Sequence, residues 1–203
     1  MKWKKKECLQ QKTEAMDITE KNTGQIEMLI CMWAVFVIAL MMIVSLKIAA
    51  FMIAGAYVED ALAASNLASA LIDVEEYGKT RVIRIEDTER SFLVYKEALA
   101  VNLCLDENAR SFQQELLKGE VRLKEYIVYN VNDDVVEMIK FVETGQMEQK
   151  LVGNLGEVYT PDDTLIETTT VYSKVEFGVP GLGGQYIYAE KEKSVDVKND
   201  ENK

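Results

Sequence analysis

The sequence predicts an α+β fold in which a long N-terminal helix precedes a domain with an antiparallel β-sheet. Two observations support this prediction. Residues 28–46 contain no charged side chain, and apolar residues continue at helical spacing through Leu67, Leu71 and Val74. After Gly119, apolar residues instead alternate with polar ones, which is the period of a strand with one buried face. The change of period separates the helical half of the chain from the sheet.

The uncharged run at residues 28–46 is long enough to cross a bilayer. As a helix it would measure about 29 Å, which is close to the hydrocarbon thickness of a membrane. It is longer than the apolar region of a cleaved secretory signal, and Lys47 follows it in place of a small-residue cleavage site. We therefore expect a transmembrane helix over residues 25–56, preceded by a charged leader at residues 1–24.

The charges on either side of the run predict its orientation. Residues 1–24 contain six lysines, whereas the stretch beyond the membrane begins with Glu59 and Asp60. Because cytoplasmic flanks are enriched in positive charge, we place the N-terminus in the cytoplasm. Residues 57–190 then form an extracytoplasmic domain of a single-pass protein in the cell membrane. Residues 191–203 are expected to be a disordered, charged tail.

The external part of the chain is strongly acidic. Residues 57–203 contain 16 Lys+Arg against 29 Asp+Glu, a net charge of −13. A domain with this charge repels nucleic acid and anionic lipid headgroups. We therefore expect no nucleic-acid partner, and a membrane contact only through the apolar helix.

The helical half is expected to contain one long helix and shorter elements after it. Beyond the membrane span, no helix breaker occurs between residue 56 and Gly78, which predicts a continuous helix from about Glu27 to about Tyr77. The run RVIRI at residues 81–85 is a strand candidate, and a further helix should open near Asp87 or Thr88. Residues 108–119 are a candidate for a last helical piece.

Turn signals divide the second half into hairpins. Asn132, Asp133 and Asp134 form one turn, and Thr144 with Gly145 forms another. Such meandering hairpins imply an antiparallel sheet. The strands are expected at residues 121–131, 135–143, 147–153, 171–179 and 185–197, with a glycine-rich loop at residues 180–184.

Catalytic motifs are missing from the sequence. The chain has no histidine, which is the commonest general base and metal ligand. It also lacks a nucleophile elbow, a phosphate-binding loop, a Cys-x-x-Cys pair and a dinucleotide fingerprint. The acidic pairs at residues 133–134 and 162–163 do not have the spacing of a calcium loop. We expect no enzymatic activity, no cofactor, no metal and no small-molecule substrate.

The three cysteines fall in three different compartments. Cys8 lies in the leader, Cys31 in the membrane span and Cys104 in the external domain. An intrachain disulfide is therefore not expected. Cys104 is interpreted as a buried thiol on a helix, with an intermolecular disulfide as the alternative.

The junction between leader and apolar helix contains a motif. The residues Lys-Asn-Thr-Gly24 are followed by Gln25, Ile26 and Glu27, and this arrangement resembles TadE-like pseudopilins, minor components of tight-adherence (Tad) pilus systems. Residues 57–78 and 171–184 also resemble proteins of Firmicute tight-adherence clusters. The resemblance implies a pilin-like fold, leader cleavage between Gly24 and Gln25, and partners among pilin-like subunits or platform proteins of a pilus or secretion assembly.

The same resemblance implies an assembly role for Glu27. In pilin assembly, such a glutamate neutralises the new amino group of an adjacent subunit inside the bilayer, although here it lies closer to the glycine than is usual. The alternative is that Glu27 begins the transmembrane helix, where a carboxylate favours the positive end of the macrodipole. Lys47 is the second candidate assembly contact, and its alternative is that the amine reaches the outer headgroups.

Two classes of function remain open at this stage. The first is a minor pseudopilin-like component of a Tad-type assembly. The alternative is a membrane-tethered extracytoplasmic binding module, such as a sensor or an envelope or secretion component, unrelated to pili.

Overall fold

A computed structural model describes residues 2–112, 116–142 and 144–198, with side chains from residue 25 onward except that of Leu182. The chain divides into two compact units, residues 1–49 and residues 50–203. The helices are α1 (Lys2–Ser69), α2 (Val74–Thr80) and α3 (Thr88–Asn102). The strands are β1 (Lys118–Asn132), β2 (Val135–Phe141), β3 (Met147–Asn154), β4 (Thr170–Pro180) and β5 (Tyr186–Asp196).

The first unit consists of the N-terminal part of α1. Every side chain described between residues 25 and 49 is exposed, including the large apolar ones. Residues 25–69 meet the length and composition of a membrane-crossing helix, with a mean hydropathy of 2.8 in the most apolar window. The prediction of a long apolar N-terminal helix is confirmed.

The second unit is built on a five-stranded antiparallel sheet with the strand order β3-β2-β1-β4-β5. This confirms the α+β class. The predicted turns are also confirmed. Asp133 adopts a left-handed conformation between β1 and β2, and the Gly145 N–H donates to the Val142 carbonyl in the turn that leads to β3. Short hairpins therefore join β1, β2 and β3.

The core lies between the helices and one face of the sheet. Ala54, Val58 and Leu62 repeat every four residues on α1 and are fully buried, because this spacing places them on one side of the helix. A smaller cluster on the other face is covered by Ile166 from the β3–β4 loop. The larger core also contains Phe92, Tyr95, Leu99, Val121, Tyr126, Phe141, Val175 and Phe177.

A buried polar network fixes the C-terminal end of α1. The Ser91 hydroxyl donates to the Ser69 carbonyl at 2.6 Å, and the Tyr126 hydroxyl donates to the Ser69 hydroxyl at 3.0 Å. Burial raises the pKa of Tyr126 to about 12, so this hydroxyl stays protonated and remains a donor at neutral pH. The network joins α1, α3 and β1.

Polar contacts also join α1 to β5. The carboxylate of Glu59 accepts from the Lys191 amine at 3.0 Å and from the Lys193 amine at 2.9 Å. Asn66 donates through its side-chain amide to the Lys193 carbonyl at 2.7 Å. These contacts hold the last strand against the helix.

We expect Glu59→Gln to lower the free energy of unfolding by less than about 1 kcal/mol at pH 7, because the pairs are partly exposed and screened by water. The hydrogen bond from Lys193, followed by that from Lys191, lowers the pKa of Glu59 in the folded protein. The stabilisation is therefore complete above the ordinary pKa of a glutamate and is lost as the pH falls through the lowered pKa. Chemical unfolding of the detergent-solubilised protein at pH 7 and pH 3 measures both effects.

The control is Glu97→Gln, which makes the same chemical change on the exposed side of α3. Equal destabilisation by the two variants at pH 7, or a difference between Glu59→Gln and wild type that does not shrink between pH 7 and pH 3, would contradict this account.

The predicted bounds of the long helix are wrong at both ends. The helix begins at Lys2, ahead of the predicted Glu27, and it ends at Ser69 instead of near Tyr77. A separate helix, α2, starts after Asp73, whose carboxylate accepts the N–H groups of residues 75 and 76 at 2.8 and 3.0 Å. The aspartate caps a new helix, and apolar spacing alone does not reveal this break.

Two shorter elements also differ from the prediction. Residues 81–85 are not a strand, because the side chain of Asn130 binds the backbone of Ile85 and no ladder forms there. Residues 108–112 and 116–119 are not helical, and residues 113–115 lie outside the described residues. The helix predicted near Asp87 or Thr88 is confirmed, with the Asp87 carboxylate accepting from the Arg90 N–H at 2.9 Å.

Two predictions overlap at residues 191–197: the strand at residues 185–197 is confirmed as far as Asp196, and the tail at residues 191–203 is therefore wrong in its first half. Residues 191–196 belong to β5 and pair with β4 as far as Asp196. Lys191 and Lys193 are charged, but their amines are bound by Glu59 and their backbone is bound by the sheet. Residues 199–203 lie outside the described part of the chain.

Candidate functional site

The first candidate site is the apolar surface of α1. From Ile26 to Ile53, its large apolar side chains are between 40 and 70 % exposed. The hydroxyl of Ser45 donates to the Met41 carbonyl at 2.9 Å, so this polar group in the apolar run is satisfied within the helix. A continuous apolar surface of this kind indicates a contact with lipid or protein.

The predicted processing site lies within α1. The backbone is helical at both Gly24 and Gln25. Helical peptide groups are engaged in internal hydrogen bonds, so cleavage between these residues would require that turn to open. The side chains of residues 1–24 lie outside the description, and cleavage stays a prediction.

The structure does not bring Glu27 and Lys47 together. Both are exposed on α1 and lie twenty residues apart, which corresponds to about 30 Å along the axis and about 200° around it. Neither forms an ion pair with any other residue of the described chain. If both act as contacts, they must bind different neighbours on nearly opposite sides of the helix.

The position of Glu27 also bears on the macrodipole alternative. α1 begins at Lys2, so in the uncleaved chain Glu27 is well inside the helix. The macrodipole effect falls off within the first turn. It therefore provides no stabilisation for Glu27 unless the leader is removed.

Cys104 is a half-buried thiol, but it does not lie on a helix. It follows the C-terminal end of α3 in a left-handed conformation, with φ 51°. Desolvation raises the pKa of Tyr57, and the neighbouring Cys104 thiol raises it further. Neither Cys31 nor Cys104, the two cysteines whose side chains are described, is in a disulfide.

The second candidate site is a pocket on the sheet domain that the sequence analysis missed. It has a volume of about 430 Å³ and lies beside the start of β1 and the start of β5. We name it the basic pocket after its cations. The side chains that define it are Arg110, Lys118, Arg122, Tyr186 and Tyr188.

Local irregularities of the sheet form this pocket. The register of β1 with β4 shifts between Lys118 and Arg122, so the first residues of β1 bulge. Gly178 faces this bulge, and a Cβ atom there would lie 2.2 Å from the Lys118 carbonyl oxygen. Only glycine, which has no Cβ atom, therefore fits at this position of β4 next to the bulge. An isolated bridge to Glu120 brings Arg110 to the pocket from the loop after α3.

The charges of the pocket are only partly neutralised. Arg122 donates to one Glu120 carboxylate oxygen through Nε at 3.3 Å and Nη2 at 3.2 Å, and this hydrogen bonding raises the pKa of Arg122. Within the part of the chain that the structure describes, Arg110 and Lys118 have no ion-pair partner. The Asp106 carboxylate is near Arg110, but it accepts N–H groups of its own turn.

The acidic pairs at residues 133–134 and 162–163 have local structural roles. Asp133 occupies the β1–β2 turn, and Asp162 accepts a hydrogen bond from the Thr160 hydroxyl. No group of three potential metal-ligating His, Cys, Asp or Glu side chains occurs in the described ranges.

Comparison with known proteins identified no relative of this chain. A scan against protein-family models and searches of curated proteins and of solved structures gave no match. We therefore infer the function from the residues and their geometry.

Proposed function

We propose that the protein is a non-enzymatic, single-pass membrane protein that acts as a minor pseudopilin-like component of a Tad-type pilus or secretion assembly. Its N-terminus lies in the cytoplasm and its sheet domain lies outside. The observation that supports this proposal is the exposed apolar surface of α1 with the carboxylate of Glu27 at its edge.

The exposed side chains of α1 favour a membrane-embedded helix. Apolar surface contributes roughly 25 cal/mol per Å² when it leaves water, and the run from Ile26 to Ile53 is exposed on all sides. In water this apolar surface would stay exposed, and the helix would not gain this free energy. Lipid, together with neighbouring apolar helices, covers the whole circumference.

The carboxylate of Glu27 favours an assembly over a simple anchor. A charged side chain at the centre of a membrane helix costs about 2.5–3.5 kcal/mol on the insertion scale, and less near the headgroups. No other residue with a described side chain pairs with Glu27. A cation of a neighbouring subunit offsets the cost, and the resemblance to TadE-like pseudopilins identifies that cation as a new N-terminal amine.

A second candidate function is a membrane-tethered extracytoplasmic binding module. The basic pocket favours it, because this pocket concentrates cations in an otherwise acidic domain. In that case α1 only anchors the domain in the membrane, and Glu27 binds no partner whose association a substitution could reduce.

We expect Glu27→Gln to leave membrane insertion intact but to reduce co-purification with membrane partners about tenfold or more. The amide is easier to bury than a charge, while the partner cation is left unmatched, and a loss of about 1.4 kcal/mol already corresponds to a factor of ten. The measurement is co-purification from cells after mild detergent extraction, with N-terminal sequencing of the mature protein.

Three control variants accompany Glu27→Gln. Glu27→Asp keeps the charge and should retain association, and Glu97→Gln makes the same chemical change in the sheet domain and should be silent. Lys47→Gln should also be silent if its amine only reaches the headgroups. Wild-type association of Glu27→Gln would refute the pairing and leave the tethered module. Lost association with an intact Met1 would retain an assembly role but exclude the pilin mechanism.

A further inference from the structure

The basic pocket has the composition of a protein contact. Arginine and tyrosine are the residue types that contribute most to binding energy at interfaces, together with tryptophan. Tyr186 and Tyr188 are 51 and 59 % exposed, and they lie on the same face of β5 because they are two residues apart. The pocket is open, so it suits a side chain that projects from another surface.

The charge of the pocket selects an acidic partner. Arg110 and Lys118 have no ion-pair partner in the described chain, whereas residues 57–203 as a whole carry a net charge of −13. Carboxylates are the groups that guanidinium and ammonium ions bind with charge-assisted hydrogen bonds. Two cations of the pocket are therefore available for carboxylates of another molecule.

The opposite end of β1 has the complementary charge. We name the carboxylates of Asp73, Glu76 and Glu86 the acidic end. The Asp73 N–H donates to the Arg84 carbonyl at 3.0 Å and the Glu76 N–H donates to the Asp73 carboxylate at 3.0 Å, so backbone contacts hold this acidic segment together. Asp73, and less strongly Glu76, raise the pKa of Glu86, while the opposing cation Arg84 is paired with Glu137. Ile85 is bound to the Asn130 side chain through both backbone groups at 2.9 Å, which places Glu86 near the end of β1.

The two charged regions cannot meet within one molecule. Arg122 and Asn130 are eight residues apart on β1, which corresponds to about 26 Å at roughly 3.3 Å per residue. The strand is hydrogen-bonded on both sides and holds this separation. A domain with opposite charges at opposite ends favours a head-to-tail contact between copies, because this contact pairs unlike charges at each junction.

We propose that the basic pocket of one copy binds the acidic end of a second copy of this chain. This inference rests on the proposed assembly role and identifies a partner for the external domain. The contact is heterologous, so it leaves one pocket and one acidic end free and can be repeated along a row of subunits.

A site-specific crosslink tests the contact in the full-length protein in detergent. Benzoylphenylalanine at position 186 should crosslink to residues 73–89 of a second copy, mapped by mass spectrometry. The control position is Tyr159, which is exposed to a similar extent (55 %) on the β3–β4 loop. It should give at least tenfold less of this crosslink. Equal yields from the two positions, or a crosslink from position 186 to lipid or to a different protein, would overturn the proposal.

Charge reversal provides a second, independent test. The pocket variant Arg110→Glu/Lys118→Glu and the acidic-end variant Glu76→Lys/Glu86→Lys should each lose the crosslink from position 186. A mixture in which only the pocket variant carries benzoylphenylalanine at position 186 should regain it, because the crosslinker then reports only the contact between a negative pocket and a positive acidic end. Recovery in the mixture also shows that both variants are folded. Failure of the mixture to recover while circular dichroism shows both variants folded would reject the charge pairing.

Failure of the crosslinking tests is distinguishable from failure of the Glu27 experiment. Loss of the domain crosslink with Glu27-dependent co-purification retained would reject only the head-to-tail contact. A domain crosslink that persists while Glu27→Gln is silent would reject the intramembrane pairing and leave self-association of the external domain.

Discussion

Phe92→Ala is expected to lower the free energy of unfolding by about 3–5 kcal/mol. Phe92 is 2 % exposed and lies between two aromatic rings of the sheet. Its ring stacks on Phe141 with centroids 5.2 Å apart and meets Tyr126 edge-on at 5.4 Å. Truncation removes these contacts and leaves a cavity, and Gly145, where a Cβ atom would lie 3.2 Å from the Phe92 ring, has no side chain that could fill it.

The measurement for Phe92→Ala is chemical unfolding of the full-length protein in detergent, followed by near-ultraviolet circular dichroism. The matched control is Leu93→Ala on the next residue of α3, which is 60 % exposed and should change stability by no more than about 0.5 kcal/mol. A loss in Phe92→Ala no larger than that of the control would show that α3 does not pack on the sheet as described.

The second large effect is expected for Asn130→Val, which should lower the free energy of unfolding by about 2–6 kcal/mol. The side chain of Asn130 is buried, accepts the Ile85 N–H and donates to the Ile85 carbonyl, both at 2.9 Å. Valine suits a strand but leaves both backbone groups of Ile85 without a partner. Each buried, unsatisfied group costs about 1–3 kcal/mol.

Two readouts separate this effect from a general loss of stability. Unfolding measures the total, and amide hydrogen exchange at Ile85 should accelerate more than exchange at amides in the middle of β1. Asn132→Val at the exposed end of the same strand is the control and should be nearly neutral. Unchanged protection of the Ile85 amide in Asn130→Val would mean that the segment at residues 81–85 is held by other contacts.

Elements that depend on short-range patterns were predictable from the sequence. The apolar run at residues 28–46 sets a transmembrane length, and alternation after Gly119 sets strands with one buried face. The turn at Asp133 and the turn at Gly145 separate strands because their residues tolerate the left-handed region. These signals are local, so no distant partner is needed to interpret them.

The misplaced elements are those whose backbone is satisfied by distant groups. The apolar pattern continues beyond Ser69, but there α1 is held by Ser91 and Tyr126, and the chain turns to form α2. Residues 81–85 have the composition of a strand, yet Asn130 takes the place of a neighbouring strand. A sequence pattern does not show which side chain will supply a hydrogen bond from 45 residues away.

By itself, the sequence determined the α+β class, a long apolar helix, the hairpins of the sheet and the acidic character of residues 57–203. It also supplied Glu27 and Lys47 as candidate contacts, which the helix geometry separates by about 30 Å. Only the tertiary structure decided between the predicted strand and the predicted tail for residues 191–196, and only it showed that Arg110, Lys118 and Arg122 surround one pocket. Both depend on strand pairing and a loop bridge, which join residues far apart in the chain, whereas the periodic patterns depend only on neighbours.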